Sequence, residues 1–443
     1  MVKTNIVIIG AAGHVGLPYA IHCASQPGIS VYGVDIDQSK IRDLNKGKVP
    51  FYEPGMQDGL VNRLNAGRLE FGEWDWEKIS KADYIFIMIG TPYDPHGKND
   101  HDDIFQIADR LNRYSEELSV KAIVLRSTVK PGSTDHFEER LKVDGKFSKV
   151  IVAFAPERIA EGQAFEEMKK FYQLVGYAKN SNSVGSSKST DFLMILERLN
   201  GKVHRFSTAI ESEVAKLITN MWRYVSFGVA NEFQIYCDYF GVNAHDIFTW
   251  AKEGYPRLAG LPMPGPNVGG PCLSKDGYFL LPDKFKQEFE GSFINHAYKV
   301  NEYSIIKFIQ KKIKEIDSLR TSDIRNIIIL GETFKANSDD TRGSISYILN
   351  DYLENSGYNV TFYDPYTDNN RFDETILNDT DLFVVMTPHR KIRQLIRSKE
   401  WKSKTKDTSY MLDLWGIFKN DPYSNEIESL NYIFLVKDIE GSS

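Results

Sequence analysis

The sequence predicts an α/β chain of two Rossmann-like, doubly wound domains joined by a helical central domain. Continuous aliphatic runs alternate with amphipathic stretches up to about residue 205, the pattern of βαβ units around a parallel sheet. From Glu211 to Phe240 the strand signal gives way to one long helix-compatible run, and from Ile327 the first pattern returns. The expected boundaries are 1–205, 206–317 and 318–443. A chain of 443 residues suits that division at roughly 150 residues per domain.

In the first domain, Ile6-Val7-Ile8-Ile9, Val31-Tyr32-Gly33-Val34, Tyr84-Ile85-Phe86-Ile87-Met88-Ile89, Ala122-Ile123-Val124-Leu125 and Val150-Ile151-Val152-Ala153-Phe154 are predominantly apolar, as strands buried on both faces require. Ile104 to Leu118 reads as a helix between two of them, and the Ser- and Asn-rich stretch Lys179 to Thr190 as a loop. In the middle, Glu213-Val214-Ala215-Lys216-Leu217-Ile218 opens a proline-free helix that Gly241 stops. A Gly- and Pro-dense segment, Gly254 to Pro271, follows it, and helical pattern resumes from Phe293 to Ile316. In the third domain Ile327-Ile328-Ile329-Leu330-Gly331 is a strand, Ser344 to Glu354 a helix, and Asn359 to Asp364 a strand ending in an acid. Asp381 to Pro388 then parallels Asp83 to Pro92, each a strand that runs into Thr-Pro.

Composition excludes several classes. Hydrophobic residues at 42% and charged residues at 26% are those of a globular protein, not of a disordered or collagen-like one. A net charge of −6 gives no general affinity for nucleic acid, and the one basic run, Lys311 to Lys314, suits the wet face of a helix. The longest apolar runs fall far short of the ~18 residues of a membrane span. Met1 to Gly10 runs straight into a strand without the apolar core of a signal peptide. Three scattered cysteines form neither a disulfide framework nor a metal cluster. A cytoplasmic protein without bound metal is expected.

Gly10-Ala11-Ala12-Gly13-His14-Val15-Gly16 lies between a strand and a helix-compatible stretch. Its glycines allow a tight turn that brings backbone N–H groups and a helix N-terminus to a pyrophosphate. Asp35 ends the next strand, where a carboxylate accepts ribose hydroxyls and repels a 2′-phosphate, favouring NAD over NADP. Lys40 and Arg42 nearby leave that preference partly open, and a loop used only for turning is the plainer alternative.

Cys23 and Cys237 fall in helical apolar patterns and read as small core residues. Cys272 differs: Gly265-Pro266-Asn267-Val268-Gly269-Gly270-Pro271 precedes it and Lys275-Asp276 follows, and a nearby cation favours the nucleophilic thiolate. Lys216, Asn220 and Arg223, spaced i, i+4 and i+7, share one face of a helix. That stripe either meets partners in an apolar setting or simply faces solvent.

In this order the segments resemble the nucleotide-sugar 6-dehydrogenase family, which includes UDP-glucose and UDP-N-acetylhexosamine dehydrogenases. Besides the Gly10 loop, the marks are Val34-Asp35-Ile36-Asp37, Gly90-Thr91-Pro92, Ser127-Thr128-Val129 with Pro131-Gly132, and Pro156-Glu157-Arg158. Glu213-Val214-Ala215-Lys216 with Asn220 and Arg223, Asn231-Glu232, Gly269-Gly270-Pro271-Cys272, Phe334-Lys335 with Asp339-Asp340-Thr341-Arg342, and Asp413-Leu414-Trp415 complete them.

The resemblance implies an N-terminal NAD domain, a helical centre used in dimer contact and a C-terminal domain that holds the nucleotide of a UDP-sugar. It implies a four-electron oxidation at C6 of the sugar, using two NAD, through a cysteine thiohemiacetal and thioester. Cys272 matches the nucleophile, Lys216 the general acid/base or oxyanion stabiliser, and Asn220 a second oxyanion partner. Thr128, Glu157 and Asp276 match positions that place water or nicotinamide. Gly10, Gly13, His14, Val15, Gly16, Asp35, Thr91 and Thr128 match cofactor contacts. Arg158, Ile159, Lys216, Asn220, Arg223, Phe334, Lys335 and Arg342 match substrate contacts, and Arg257 an arginine that reaches substrate across a homodimer. A surface ion pair is the alternative for Lys335 and Arg342.

Three departures stand out. The glycine loop is one residue longer than Gly-x-Gly-x-x-Gly, Pro271 replaces a commonly polar residue before the cysteine, and Lys130 adds a charge in Ser-Thr-Val-Lys-Pro-Gly. Pro156-Glu157-Arg158 is similar to the branch acting on UDP-N-acetylmannosamine or UDP-N-acetylglucosamine, where UDP-glucose and GDP-mannose enzymes usually carry an aromatic residue. A UDP-glucose enzyme is the alternative; a two-electron hydroxyacid dehydrogenase and a silent nucleotide-sugar sensor are rivals that Cys272 argues against.

Overall fold

The structure is a computed structural model that describes residues 3–92, 101–113, 120–142, 147–181, 186–266, 268–281, 292–369, 374–406, 408–418 and 431–433. The chain divides into two compact units, residues 1–219 with 278–282 and residues 220–277 with 283–443.

In the first unit β1 (Thr4–Ile9), β2 (Ile29–Val34), β3 (Leu69–Gly72), β4 (Tyr84–Ile87), β5 (Ala122–Leu125), β6 (Ile151–Phe154), β7 (Gln173–Tyr177) and β8 (Val203–Arg205) form one sheet in the order β3-β2-β1-β4-β5-β6-β7-β8. Every neighbouring pair is parallel except β6 and β7. Each residue of β4, β5 and β6 is buried, which is why these strands read as unbroken aliphatic runs rather than alternating ones. Alternate side chains feed two cores: Phe86 packs with Leu17, Tyr19 and Phe192 on one face, and Ile85 and Ile87 with Phe105 and Phe137 on the other. The strand order reverses between β1 and β4, opening a crevice at their carboxyl ends.

The helix Ala209–Tyr239 begins in this unit and continues into the second. There it is followed by the helices Ala244–Lys252 and Gly270–Leu280, a 3₁₀ turn at Pro256–Leu258, and a long helical stretch interrupted by a π-helical segment, Lys299–Ser304, between Phe293–Tyr298 and Ile305–Leu319. β9 (Asn326–Leu330), β10 (Asn359–Tyr363), β11 (Leu382–Val385), β12 (Tyr410–Asp413) and β13 (Asn431–Ile433) form a parallel sheet in the order β10-β9-β11-β12-β13. Its switch point lies between β9 and β11.

Some expectations shift. The polar stretch Lys179 to Thr190 is only partly a loop, because a helix, Ser186–Asn200, begins inside it. The helix expected from Ile104 to Leu118 is Asp102–Asn112 among the described residues. The short strands β3, β7, β8, β12 and β13 carry too few consecutive apolar residues to stand out in sequence. The basic run is not uniformly wet: Lys312 is buried and paired with Asp238 and Glu315, while Lys311 is exposed.

Candidate active site

Gly10 leaves β1 at φ +87°, where a Cβ would come within 2.7 Å of the Met88 carbonyl oxygen. Gly10 and Ala11 both donate their N–H to the Val34 oxygen, and Gly13 N–H returns to the Gly10 oxygen, closing a short turn. A Cβ on Gly16 would lie 2.1 Å from the Gly10 oxygen, so only glycine lets the helix Gly16–Ser25 start this close to the strand. Gly13 keeps ordinary contact distance, 3.4 Å. The additional residue of the loop is therefore absorbed in the turn, and Gly10 and Gly16 carry the close approaches.

Asp35 ties this loop down from β2, its Oδ2 accepting the Ala12 N–H at 2.8 Å and its Oδ1 the Asp37 N–H at 3.1 Å. An open cavity of about 990 Å³ at the switch point is lined by Gly10, Asp35, Ile36, Trp74, Gly90 and Arg110 among others. The helix at Gly16 has no side-chain cap and no acid in its first turn, leaving its positive end for an anion. A glycine cradle, an uncapped helix end and a carboxylate at the β2 terminus together fit a dinucleotide. His14 stacks on Phe51 with centroids 4.1 Å apart, and Val15 packs against the core.

Further along the crevice Thr91 is buried and donates to the Thr128 carbonyl oxygen at 2.7 Å, while Ser127 donates to that of Ile89 at 2.7 Å. Glu213 fixes the Pro131-Gly132 turn by accepting from Gly132 N at 2.6 Å and Thr134 N at 2.9 Å. Lys130 donates its backbone N–H to His101 Nε2 at 2.9 Å. Glu157 pairs with Arg126, a residue the sequence reading missed because it stands in an apolar run. Arg126 is fully buried, lies over the Tyr19 ring at 4.1 Å and bonds Gln173 at 2.9 Å. Arg158 is half-buried and donates to the Tyr172 carbonyl, and Ile159 packs against the core.

Lys216 is 7% exposed and Asn220, one helical turn on, equally so, whereas Arg223 is exposed. The solvent-facing alternative holds only for Arg223. In the second unit Asn220 Nδ2 donates to Asp276 Oδ2 at 2.6 Å, and Lys275 Nζ pairs with Asp276 Oδ1 at 3.0 Å. Asp276 is completely buried and stands one turn after Cys272 on the helix Gly270–Leu280. Cys272 is exposed in the first turn of that helix, where the helix dipole favours an anionic thiolate. Pro271 sits where a helix needs no N–H, so this departure costs the backbone nothing. By contrast Cys23 is buried and its thiol is pushed up to about 12 by burial; burial also raises Cys237.

The loop after β9 touches the start of the cysteine helix. The Phe334 ring fills the space beside Gly270, where a Cβ would meet it at 2.5 Å. Phe334 N–H donates to the Asp340 oxygen, and Arg342 is bound to Asp340, Nε to Oδ1 at 2.8 Å. The ion-pair alternative thus describes Arg342 as it stands. Arg257 is exposed on its 3₁₀ turn.

Three family models match in sequence order, described as the NAD binding domain (residues 4–189), the central domain (210–303) and the UDP binding domain (328–420) of the UDP-glucose/GDP-mannose dehydrogenase family. The chain is 28% identical to a UDP-N-acetyl-D-mannosamine dehydrogenase of Methanocaldococcus jannaschii, over 95% of this chain and 94% of that one. It is 27% identical to a UDP-glucose 6-dehydrogenase of Rhizobium meliloti, over 94% and 96%. A solved UDP-D-ManNAc dehydrogenase of Pyrococcus horikoshii superposes with a TM-score of 0.81 at 25% identity, covering 97% of this chain and 98% of that one.

Proposed function

The chain belongs to the UDP-glucose/GDP-mannose dehydrogenase family and is an NAD-dependent nucleotide-sugar dehydrogenase, and we propose that it oxidises C6 of UDP-N-acetylmannosamine to the uronate through a thioester on Cys272. The observation that carries this reading is the placement of Cys272, exposed in a first helical turn, with Asp276 one turn on and bonded to Asn220. NAD, when bound, supplies the hydride acceptor for each of two oxidations.

Lys216 accepts the proton of the C6 hydroxyl as a hydride leaves the carbon, which becomes an aldehyde. The Cys272 thiolate adds to that carbon, forming the C–S bond of a thiohemiacetal, and Asn220 and Lys216 stabilise its oxyanion. Once the second hydride has left, the carbon is a thioester; water adds, the C–S bond breaks, and the uronate departs. Asp276 holds the Asn220 amide in place, and Thr128 and Glu157 order water or nicotinamide, Glu157 being anchored by Arg126. Phe334, Lys335 and Arg342 hold the nucleotide, with Arg223 at the substrate's edge.

The N-acetyl sugar is supported by Arg158, able to donate to an acetyl carbonyl, and by the names of relatives from Methanocaldococcus jannaschii and Pyrococcus horikoshii, 28% and 29% identical. The Rhizobium meliloti relative favours UDP-glucose as a second reading. Domain boundaries at 205 and 317, action in the cytoplasm and a homodimer that brings Arg257 to its partner's substrate belong to the same proposal. Exposed Trp222, Phe233, Tyr236, Tyr239 and Trp250 in the central helices, with Phe240 just after the first, support the dimer, since so many large apolar groups are seldom left wet. Among the described residues no helix is long and apolar enough to cross a membrane.

The test is NADH formed to completion on limiting sugar. About two NADH per UDP-N-acetylmannosamine, falling to one or none in Cys272→Ser, is expected. Two NADH from UDP-glucose alone would remove the sugar assignment and keep the mechanism. An unchanged Cys272→Ser stoichiometry would remove the mechanism.

A further inference from the structure

Beneath the loop that carries Phe334 and Lys335 lies a fully buried pair that the mechanism does not use. Asp364, just past β10, and His389, just past β11, have side chains with no exposed surface. Asp364 Oδ2 accepts the N–H groups of Glu332 at 2.8 Å and Thr333 at 3.1 Å, and His389 Nε2 at 2.9 Å. His389 Nδ1 accepts the Asn337 N–H at 2.9 Å. An accepting Nδ1 carries no proton, so the ring hydrogen is on Nε2, directed at Asp364 and at Thr333 Oγ1, 3.0 Å away. The Thr333 hydroxyl in turn donates to the Lys335 carbonyl at 3.0 Å.

Residues 332, 333, 335 and 337 are thus bound at the backbone on both sides of Phe334 and Lys335. Asn337 is held at φ +59°, a conformation uncommon outside glycine, and its own Oδ1 accepts the Arg390 N–H at 3.1 Å. Without an acceptor at His389 Nδ1, that turn loses the bond that closes it. The loop emerges at the switch point of the second sheet, where ligands of such sheets bind.

We propose that His389 is a positioning residue for the nucleotide of the substrate, its neutral imidazole fixing the Thr333–Asn337 turn so that Phe334 and Lys335 are set before the ligand arrives. This rests on the assignment of Phe334 and Lys335 to the nucleotide site. Preorganisation of this kind acts on binding, while the oxidation at C6 proceeds on other residues.

The experiment is calorimetric titration of the full-length protein with UDP, and separately with NAD, alongside steady-state kinetics. His389→Leu should raise the Kd for UDP and the KM for the UDP-sugar about tenfold or more, with the Kd for NAD within about twofold and kcat within about threefold. His389→Asn, whose Oδ1 replaces the accepting Nδ1, should return UDP binding to within about threefold of the wild type. His389→Gln keeps only the donor toward Asp364 and should behave as the leucine variant does; it carries the test where the leucine variant fails to fold. Unchanged UDP binding in His389→Leu or His389→Gln, equal loss of UDP and NAD, or no rescue by asparagine overturns the proposal. Lys335→Ala separates the two layers. If it leaves UDP binding intact, the nucleotide assignment falls. If it weakens UDP while His389→Leu and His389→Gln do not, only the role of His389 falls.

Discussion

At the scale of single residues, the groups proposed to carry chemistry were legible in the sequence and the groups that hold them were not. Cys272, Lys216 and Asn220 stand out by type and spacing, but Arg126 and His389 sit beside apolar strands and reveal themselves only through Glu157 and Asn337. Arg126 offers the sharper stability test. Removing it leaves Glu157, 11% exposed, without its counter-charge, so Arg126→Met should lower unfolding free energy by about 3–5 kcal/mol. Urea denaturation of the purified protein measures this; a loss under about 1 kcal/mol would mean that Glu157 finds other solvation. Arg223 could not be separated from Lys216 by sequence, because helical spacing names a face without saying which part of it is covered.

At the scale of elements, the strand–loop–helix of the cofactor crevice was readable, but the roles of its three glycines were not, since spacing cannot tell a turn from a close approach. Gly16→Ala places a methyl group against the Gly10 carbonyl and should weaken NAD binding by about 1–3 kcal/mol, whereas Gly13→Ala should cost less than about 1. Fluorescence titration with NADH gives both values, and a reversed order would show that the loop approaches the cofactor differently. The second sheet has its own pH signature. Burial pushes the Asp364 carboxyl up, but the bonds from His389, Tyr366 and Glu332 outweigh it and hold the group below its ordinary value. Its stabilising contribution is therefore complete above the unfolded value, about 3.9, and is lost as pH falls through the folded one. Asp364→Asn should flatten the acid limb of stability below about pH 5 while leaving the neutral-to-basic limb parallel to the wild type, as thermal melts across pH would record.

At the scale of the molecule, the three-part organisation was visible because parallel strands buried on both faces and long helices leave different periodicities. The edge strand β10 was legible as Asn359 to Asp364 although four of its five residues are exposed or half-exposed. The dimer proposed above came from resemblance alone, because exposed aromatics look like core aromatics in sequence. Light scattering should give twice 50.6 kDa, and Trp222→Glu should return the particle to a single chain. A wild-type protein that stays at 50.6 kDa would remove the dimer and the role given to Arg257 with it.

The strand order also sets a timetable for synthesis. β1 pairs with β4, so it waits some 75 residues for its inner neighbour, and such non-local pairing is slow to form. Yet all eight strands of the first sheet lie between Thr4 and Arg205, and the glutamate that fastens Gly132 and Thr134 follows at 213. That sheet is complete in sequence more than 100 residues before Asn326 opens the second, long enough at about 5–20 residues per second for the amino-terminal half to settle on the ribosome before its carboxyl-terminal counterpart exists.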